Sequence, residues 1–383
     1  MKISRRDLVQ TMGATAGVAM LGGSAAAAAP GEDAAARAVH LSGDGVPLAP
    51  SEYASLLGRL CAGRDVAVDD YLLGGEIESF ERHWAALLGK ERAVFMPSGT
   101  LANQLALRAL AGSKRRVLVP ETSHVYNDTG DACQTLSGLT LLPLAPGAAT
   151  FTRADVEAVL ARTAGGRVAT GVGAMLIESP IRRLTGRMFD WEEAKRVTAF
   201  ARENGIGTHL DGARLFIASA YTGVSPAEYA VPFDTVYVSL WKYFNCGIGA
   251  ILAGPTALLA GMFHVRRMFG GNLYHGWQAA VVARHYMDGF PARLRAAVRV
   301  SEDFYAAIGQ HRRVRVERIP DGTNLAHVTL QNIDVSVVAK RLSARHIAMP
   351  TNADAGVLTF RVNETWGRTT GADLARAFLQ AVG

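Results

Sequence analysis

From residue 76 onward the chain moves between two hydrophobic rhythms. Ile77, Phe80, Trp84, Leu87 and Leu88 recur at helical spacing and Gly89 stops the run, which predicts an amphipathic helix over 76–88. Short apolar runs follow at 93–96, 117–120, 139–144, 174–178, 207–210, 235–239 and 248–253. Each has the length of a buried strand. Helical spacing returns between them, at 101–110, 155–162 and 191–204. Strand-like and helix-like stretches in alternation predict an α/β domain around a mainly parallel sheet. The rhythm changes at Gly289-Phe290-Pro291. A charged helical run at 292–308, strand-like runs at 314–319 and 326–330, a helix at 335–343 and a strand-like run at 357–362 predict a smaller α+β domain. The expected organisation is a leader and linker at 1–36, a large domain at 37–290 and a small C-terminal domain at 291–383.

The first 29 residues follow neither rhythm. Lys2, Arg5 and Arg6 form a basic head, an apolar stretch runs from Met12 to Leu21, and Gly22, Gly23, Ser24 and five alanines follow. This is the order of an export signal. The apolar run is far short of the ~20 residues that span a bilayer, so no permanent membrane anchor is expected. Ser4-Arg5-Arg6-Asp7-Leu8-Val9 resembles the bacterial twin-arginine signal. That resemblance implies a periplasmic or secreted protein, handled by the twin-arginine translocase and folded before transport. Such cargo often carries a cofactor.

Composition narrows the remaining classes. Of 383 residues, 49% are hydrophobic and 19% charged, the reverse of a disordered chain. A net charge of +6 without a basic run interleaved with aromatics argues against nucleic acid as a partner. Cys61, Cys133 and Cys246 lie far apart with no CxxC, and none of the ten histidines forms HExxH, so no metal is expected.

Four local signals then fall in a telling order. Pro97-Ser98-Gly99-Thr100 lies between a strand-like and a helix-like run, where free backbone N–H groups and hydroxyls suit a phosphate. Ser98 also suits an ordinary helix cap. His124 follows the strand at 117–120, at the strand end where ligand crevices open, and a flat imidazole there can stack on a planar ring. Asp211 ends the strand at 207–210, with Arg214 three residues later; a carboxylate there can keep a ring nitrogen protonated. Lys242 follows the strand at 235–239, where poor solvation makes a nucleophilic amine. Phosphate cradle, stacking ring, ring-nitrogen partner and amine are what pyridoxal 5'-phosphate requires. Dinucleotide binding is disfavoured, because Leu176 and Leu252 occupy the third glycine position after Gly171-Val172-Gly173 and Gly247-Ile248-Gly249.

With these motifs the chain resembles the aromatic amino acid β-eliminating lyase/threonine aldolase family, from about residue 40 to the C-terminus. Leu88-Gly89-Lys90-Glu91, the run from Pro97 to Leu107, His209-Leu210-Asp211-Gly212-Ala213-Arg214 and Val265-Arg266-Arg267-Met268-Phe269-Gly270-Gly271 carry the resemblance. It implies the fold-type-I aminotransferase-like fold, a homodimer or homotetramer, and an amino acid substrate. It makes Lys242 the cofactor lysine, Asp211 the ring-nitrogen partner and His124 the stacking ring. Ser98, Gly99 and Thr100 hold phosphate, Arg214 and Arg361 grip the substrate carboxylate, and Arg266 or Arg267 reaches a cofactor across a subunit interface. The implied reaction is cleavage of a β-hydroxy amino acid to glycine and an aldehyde. Departures concern the side-chain pocket. Ala67-Val68-Asp69-Asp70-Tyr71 and Glu178-Ser179-Pro180-Ile181 replace family stretches, and no histidine stands near Val168, where aldolases have one. Tyr71, His275, Trp241 and Tyr243 are candidates to line the altered pocket. β-Elimination, racemisation, transamination and a non-catalytic amino-acid-binding role remain alternatives.

Overall fold

The computed structural model describes residues 38–354 and 356–383. The expected leader lies outside the described residues. A seven-stranded sheet organises the large part of the chain, in the order Arg92–Met96, Ala250–Gly254, Thr235–Ser239, Gly207–Asp211, Val172–Glu178, Arg116–Pro120, Thr140–Leu144. Ala250–Gly254 runs antiparallel to both neighbours; the other pairings are parallel. Every residue of Val172–Glu178 and of Thr235–Ser239 is buried, as parallel strands covered on both faces must be. The expected strand at 248–253 begins only at Ala250, because Gly249 takes a φ of +117° in the connection. Parallel strands deliver their carboxyl ends to one edge, and the residues after Met96, Pro120, Glu178, Asp211 and Ser239 gather there.

The helix expected over 76–88 spans Gly75–Leu87 and buries Ile77, Phe80 and Trp84. A helix at Pro50–Ala62 was not foreseen, although Tyr53, Leu56, Leu57 and Leu60 recur at helical spacing and pack on the large core.

The three-stranded antiparallel sheet of Val314–Arg318, Leu325–Leu330 and Val357–Arg361 builds a second core. Phe304, Phe360, Trp366 and Phe378 pack beside it with edge-on ring contacts. The expected boundary at 290 falls on the first residue of the helix Phe290–Ile308. Phe290 and Leu294 pack in the large core, and the later turns pack in the second. Val39–His40 pairs with Ile347–Ala348, and Val39 and Leu41 also join the second core. The residues from 38 to 41 therefore belong with the small sheet, where sequence pattern had placed them in the large domain. The chain then crosses back, and this crossing becomes part of the site.

Candidate active site

The helix Gly99–Ala111 starts immediately beyond the first strand. Ser98 caps it, its Oγ accepting from the Leu101 amide at 3.3 Å. The cap uses the Ser98 oxygen as an acceptor and leaves its O–H to donate, and the amides of Gly99 and Thr100 precede the first intrahelical bond. Gly99 is fixed by space: a Cβ there would sit 2.0 Å from the Tyr237 hydroxyl oxygen. Its absence lets Tyr237 close against the helix start and leaves those amides facing a cavity of about 550 Å³.

Ser98, Gly99, Thr100, His124, Asp211, Arg214 and Lys242 all line this cavity. The grouping expected from chain order is therefore one place in space. Lys242 makes no ion pair among the described residues. Its ammonium lies 4.9 Å from the Trp241 ring centre and 5.9 Å from that of Tyr237. Burial, reinforced by the Arg214 charge, lowers its pKa to about 8 against the pull of Asp211, Asp44 and Glu178. A lysine so placed yields a neutral amine near neutrality.

Asp211 Oδ2 accepts from Asn103 Nδ2 at 2.6 Å, and Oδ1 from the Ala213 amide at 3.1 Å. Glu178 is the register neighbour of Asp211 across the paired strands. Its two oxygens accept from the amides of His124, at 2.6 Å, and of Arg182, at 2.9 Å. Glu178 thereby holds the turn that presents the imidazole. Burial and the adjacent Asp211 push the Glu178 pKa up to about 8. Burial also lowers the His124 pKa, with Lys242 and Arg182 acting in the same sense against Asp211. A neutral ring that can lie on an apolar plane results.

A second cavity, of about 630 Å³, shares Arg214, Trp241 and Lys242 with the first. Here Asp44 joins the two expected carboxylate-gripping arginines. Its Oδ2 accepts from Arg214 Nε at 2.9 Å and Arg361 Nη1 at 3.0 Å, and its Oδ1 from Asn324 Nδ2 at 3.2 Å. Burial disfavours the Asp44 anion, but Arg214, Arg361 and Asn324 outweigh it and hold the pKa below the usual carboxylate range. Two guanidinium charges against one carboxylate leave one positive charge for an incoming anion.

Four expected placements, those of Arg266, Tyr243, His275 and Tyr71, need correction. Arg266 cannot reach a second subunit: it is 1% exposed and donates to the Phe95 carbonyl. Arg267 is exposed, its guanidinium 5.2 Å from the Tyr71 ring centre. Of the four side-chain-pocket candidates, only Trp241 lines either cavity. Tyr243 turns inward, is fully buried and stacks on Phe290 at 5.3 Å. His275 Nδ1 contacts the Asp69 carbonyl at 2.6 Å, and Tyr71 packs on Tyr274. Asp128 and Arg182 line the first cavity instead, paired at 2.9 Å. Asn103, Glu178, Asp44 and Tyr237 went unassigned in the sequence. For Glu178 a signal existed, since it ends a strand just as Asp211 does.

These residues fit pyridoxal phosphate. An unpaired amine, a carboxylate with spare lone pairs, a half-buried imidazole and uncommitted helix-start amides converge on a space that Gly99 keeps clear. Fold and site together define the fold-type-I class of pyridoxal-phosphate enzymes. Within that class, residues 61–341 match the model of the Beta-eliminating lyase family, and the chain belongs to it. A low-specificity L-threonine aldolase of Candida albicans is 31% identical over 211 residues, 54% of this chain and 56% of the relative. The alanine racemase TOXG of Cochliobolus carbonum is also 31% identical, over 54% of this chain and 52% of its own. The chain thus spans little more than half the length of these relatives. A proposed L-allo-threonine aldolase from Listeria monocytogenes, known by crystal structure, aligns with a TM-score of 0.74 and 26% identity. That alignment covers 91% of this chain and 96% of the other.

Proposed function

We propose that the protein is a pyridoxal-phosphate-dependent lyase that cleaves a β-hydroxy amino acid to glycine and an aldehyde, as threonine aldolases do. The observation that carries the reading is convergence: Lys242, Asp211, His124 and the Gly99–Thr100 helix start line one cavity. The Candida aldolase and the Listeria structure support the choice of reaction.

Bound there, the cofactor supplies an electron sink for the bond broken at Cα. The protein's own groups do the rest. The amides of Gly99 and Thr100 and the Thr100 hydroxyl bind phosphate where the helix dipole favours an anion. Lys242 brings a neutral amine to the cofactor aldehyde. Asp211 offers its free lone pairs to the ring nitrogen and keeps a proton there. His124, held by Glu178, covers one face of the ring. Arg214 and Arg361, held in register by Asp44, receive the substrate carboxylate and orient Cα. Trp241 covers the junction between cofactor and carboxylate sites and restricts water.

A second reading within the same cofactor chemistry is racemisation. It is favoured by the similarity to the alanine racemase and by the missing histidine near Val168. Incubation with L-threonine and L-allo-threonine, followed by assay of glycine and acetaldehyde, separates the two. The lyase reading expects both products in equal amounts and their loss in Lys242→Ala. D-amino acid with neither product overturns it. Export by the twin-arginine route remains a proposal that rests on residues 1–36 alone, and the location of the protein in cells tests it.

A further inference from the structure

Asp211 ends a row of buried side chains that runs away from the cavity. Asn103 donates to Asp211 Oδ2 at 2.6 Å, its Oδ1 lies 2.9 Å from His209 Nε2, and His209 Nδ1 lies 2.8 Å from Thr235 Oγ1. None of the four residues is more than 2% exposed. The row follows from strand geometry. His209 and Asp211 are two apart on one strand, so they point to the same face. Thr235 is the register partner of His209 on the next strand, as Tyr237 is of Asp211. The helix Gly99–Ala111 lies over that face and lowers Asn103 between them.

The direction of each proton can be worked out. The Asn103 amide must turn its NH₂ toward the Asp211 carboxylate, because its oxygen would be repelled. Its Oδ1 therefore faces His209 and needs a donor, so the His209 proton sits on Nε2. Complete burial drives the His209 pKa down to about 3, so the ring carries that single proton throughout the physiological range. Nδ1 is then an acceptor, and the Thr235 hydroxyl, 2.8 Å away, is placed to donate to it. Every donor in the row points toward Asp211. No arginine or lysine pairs with Asp211 within 4.0 Å among the described residues, so this neutral row and the Ala213 amide supply its direct hydrogen bonds. Aligned hydrogen bonds in a low-dielectric interior polarise one another.

We infer that Asn103, His209 and Thr235 are positioning residues that hold Asp211 as an oriented anion and so set the protonation of the cofactor's ring nitrogen. The inference rests on the cofactor part of the proposed function and extends it to three residues that touch neither cofactor nor substrate. Loss of the Asn103 donor makes the Asp211 carboxylate more basic. The shared proton shifts away from the ring nitrogen and the ring loses positive charge. The nitrogen linking Lys242 to the cofactor then binds its own proton more tightly.

The test is a pH titration of the visible absorbance of cofactor-loaded protein, for the unaltered chain, Asn103→Ala and Thr235→Val. The midpoint is expected to rise in Asn103→Ala, with proton affinity up about threefold to tenfold, less than the roughly tenfold or more of losing one hydrogen bond to a charged group outright, because the effect is passed on through Asp211. A smaller rise is expected in Thr235→Val, which keeps the side-chain shape and frees His209 to move its proton. A purely structural role would lower melting temperature or cofactor content and leave the midpoint in place. If Asn103→Ala does not fold, Thr235→Val decides. Midpoints equal to or below that of the unaltered chain overturn the inference. Failure of the unaltered chain to bind pyridoxal phosphate sinks the proposed function instead, so the two failures are distinct.

Discussion

At the residue scale the decisive property is the state of one amine. Lys242 sits largely buried beside Arg214, and both effects disfavour its charge. Its pKa falls from 10.5 to about 8, and the sign follows directly. Below about pH 8 most of the amine is protonated and unreactive, so the rate of cofactor uptake rises about tenfold per pH unit. Above it the amine is neutral and the rate levels off. Stopped-flow absorbance of cofactor-free protein mixed with pyridoxal phosphate should show that plateau. A rate still climbing toward pH 10.5 would mean an ordinary, solvated lysine. Lys242, Asp211 and His124 were legible in the sequence because each follows a short apolar run, and a strand end is a place as well as a pattern. Asp44 was not legible. It lies in a loop with no periodicity, and its role exists only because Arg214 and Arg361, 170 and 317 residues away, close on it.

Among elements, the crossing segment that follows Leu41 matters most. It leaves the small sheet, carries Asp44 to the arginines and lies against the turn that holds Lys242. The Val46 amide donates to Asn245 Oδ1 at 2.8 Å. Contact is close enough that a Cβ on Gly45 would fall 2.1 Å from Asn245 Oδ1 and 2.7 Å from the Lys242 carbonyl. Gly45→Ala must therefore push the segment off the turn and misplace Asp44. Hydrogen bonds to charged groups contribute about 1.5–3 kcal/mol each, so the expected outcome is a KM raised about tenfold or more with a smaller change in kcat. Steady-state kinetics check it. Gly58→Ala, on an open helix surface, serves as the control and should leave both constants unchanged. Helical spacing announces Gly75–Leu87, and the same spacing of Tyr53, Leu56, Leu57 and Leu60 was a usable signal for Pro50–Ala62. The crossing was invisible for a different reason. Its fit depends on missing atoms at Gly45, and a glycine in a loop reads as an ordinary turn until its neighbours are known.

On the scale of the whole molecule, one patch of the described surface is apolar. Leu73, Met268 and Tyr274 are each more than half exposed, Tyr71 is 39% exposed, and Arg267 lies over Tyr71. Large exposed apolar side chains in one cluster mark an association surface. A second copy of the chain is the proposed occupant, as the family resemblance implies. Light scattering of the purified protein should return a dimer or tetramer, and Met268→Asp with Tyr274→Asp should shift it toward monomer. A monomer at all concentrations would contradict this. The two cores, a mainly parallel sheet and the gathering of strand ends were foreseen from rhythm, because burial on one or both faces writes itself into the spacing of apolar residues; the antiparallel run of Ala250–Gly254 was not. Which side chains share that edge had to come from the packing of one element on another.

The central claim is that these converging residues make a pyridoxal-phosphate lyase, and its most direct test is the fate of L-threonine and L-allo-threonine. Cofactor-loaded protein should release glycine and acetaldehyde in equal amounts from at least one of them, and Lys242→Ala should release neither. Bound cofactor with no glycine and no aldehyde, and with the substrate's Cα inverted or its amino group lost, would contradict the account.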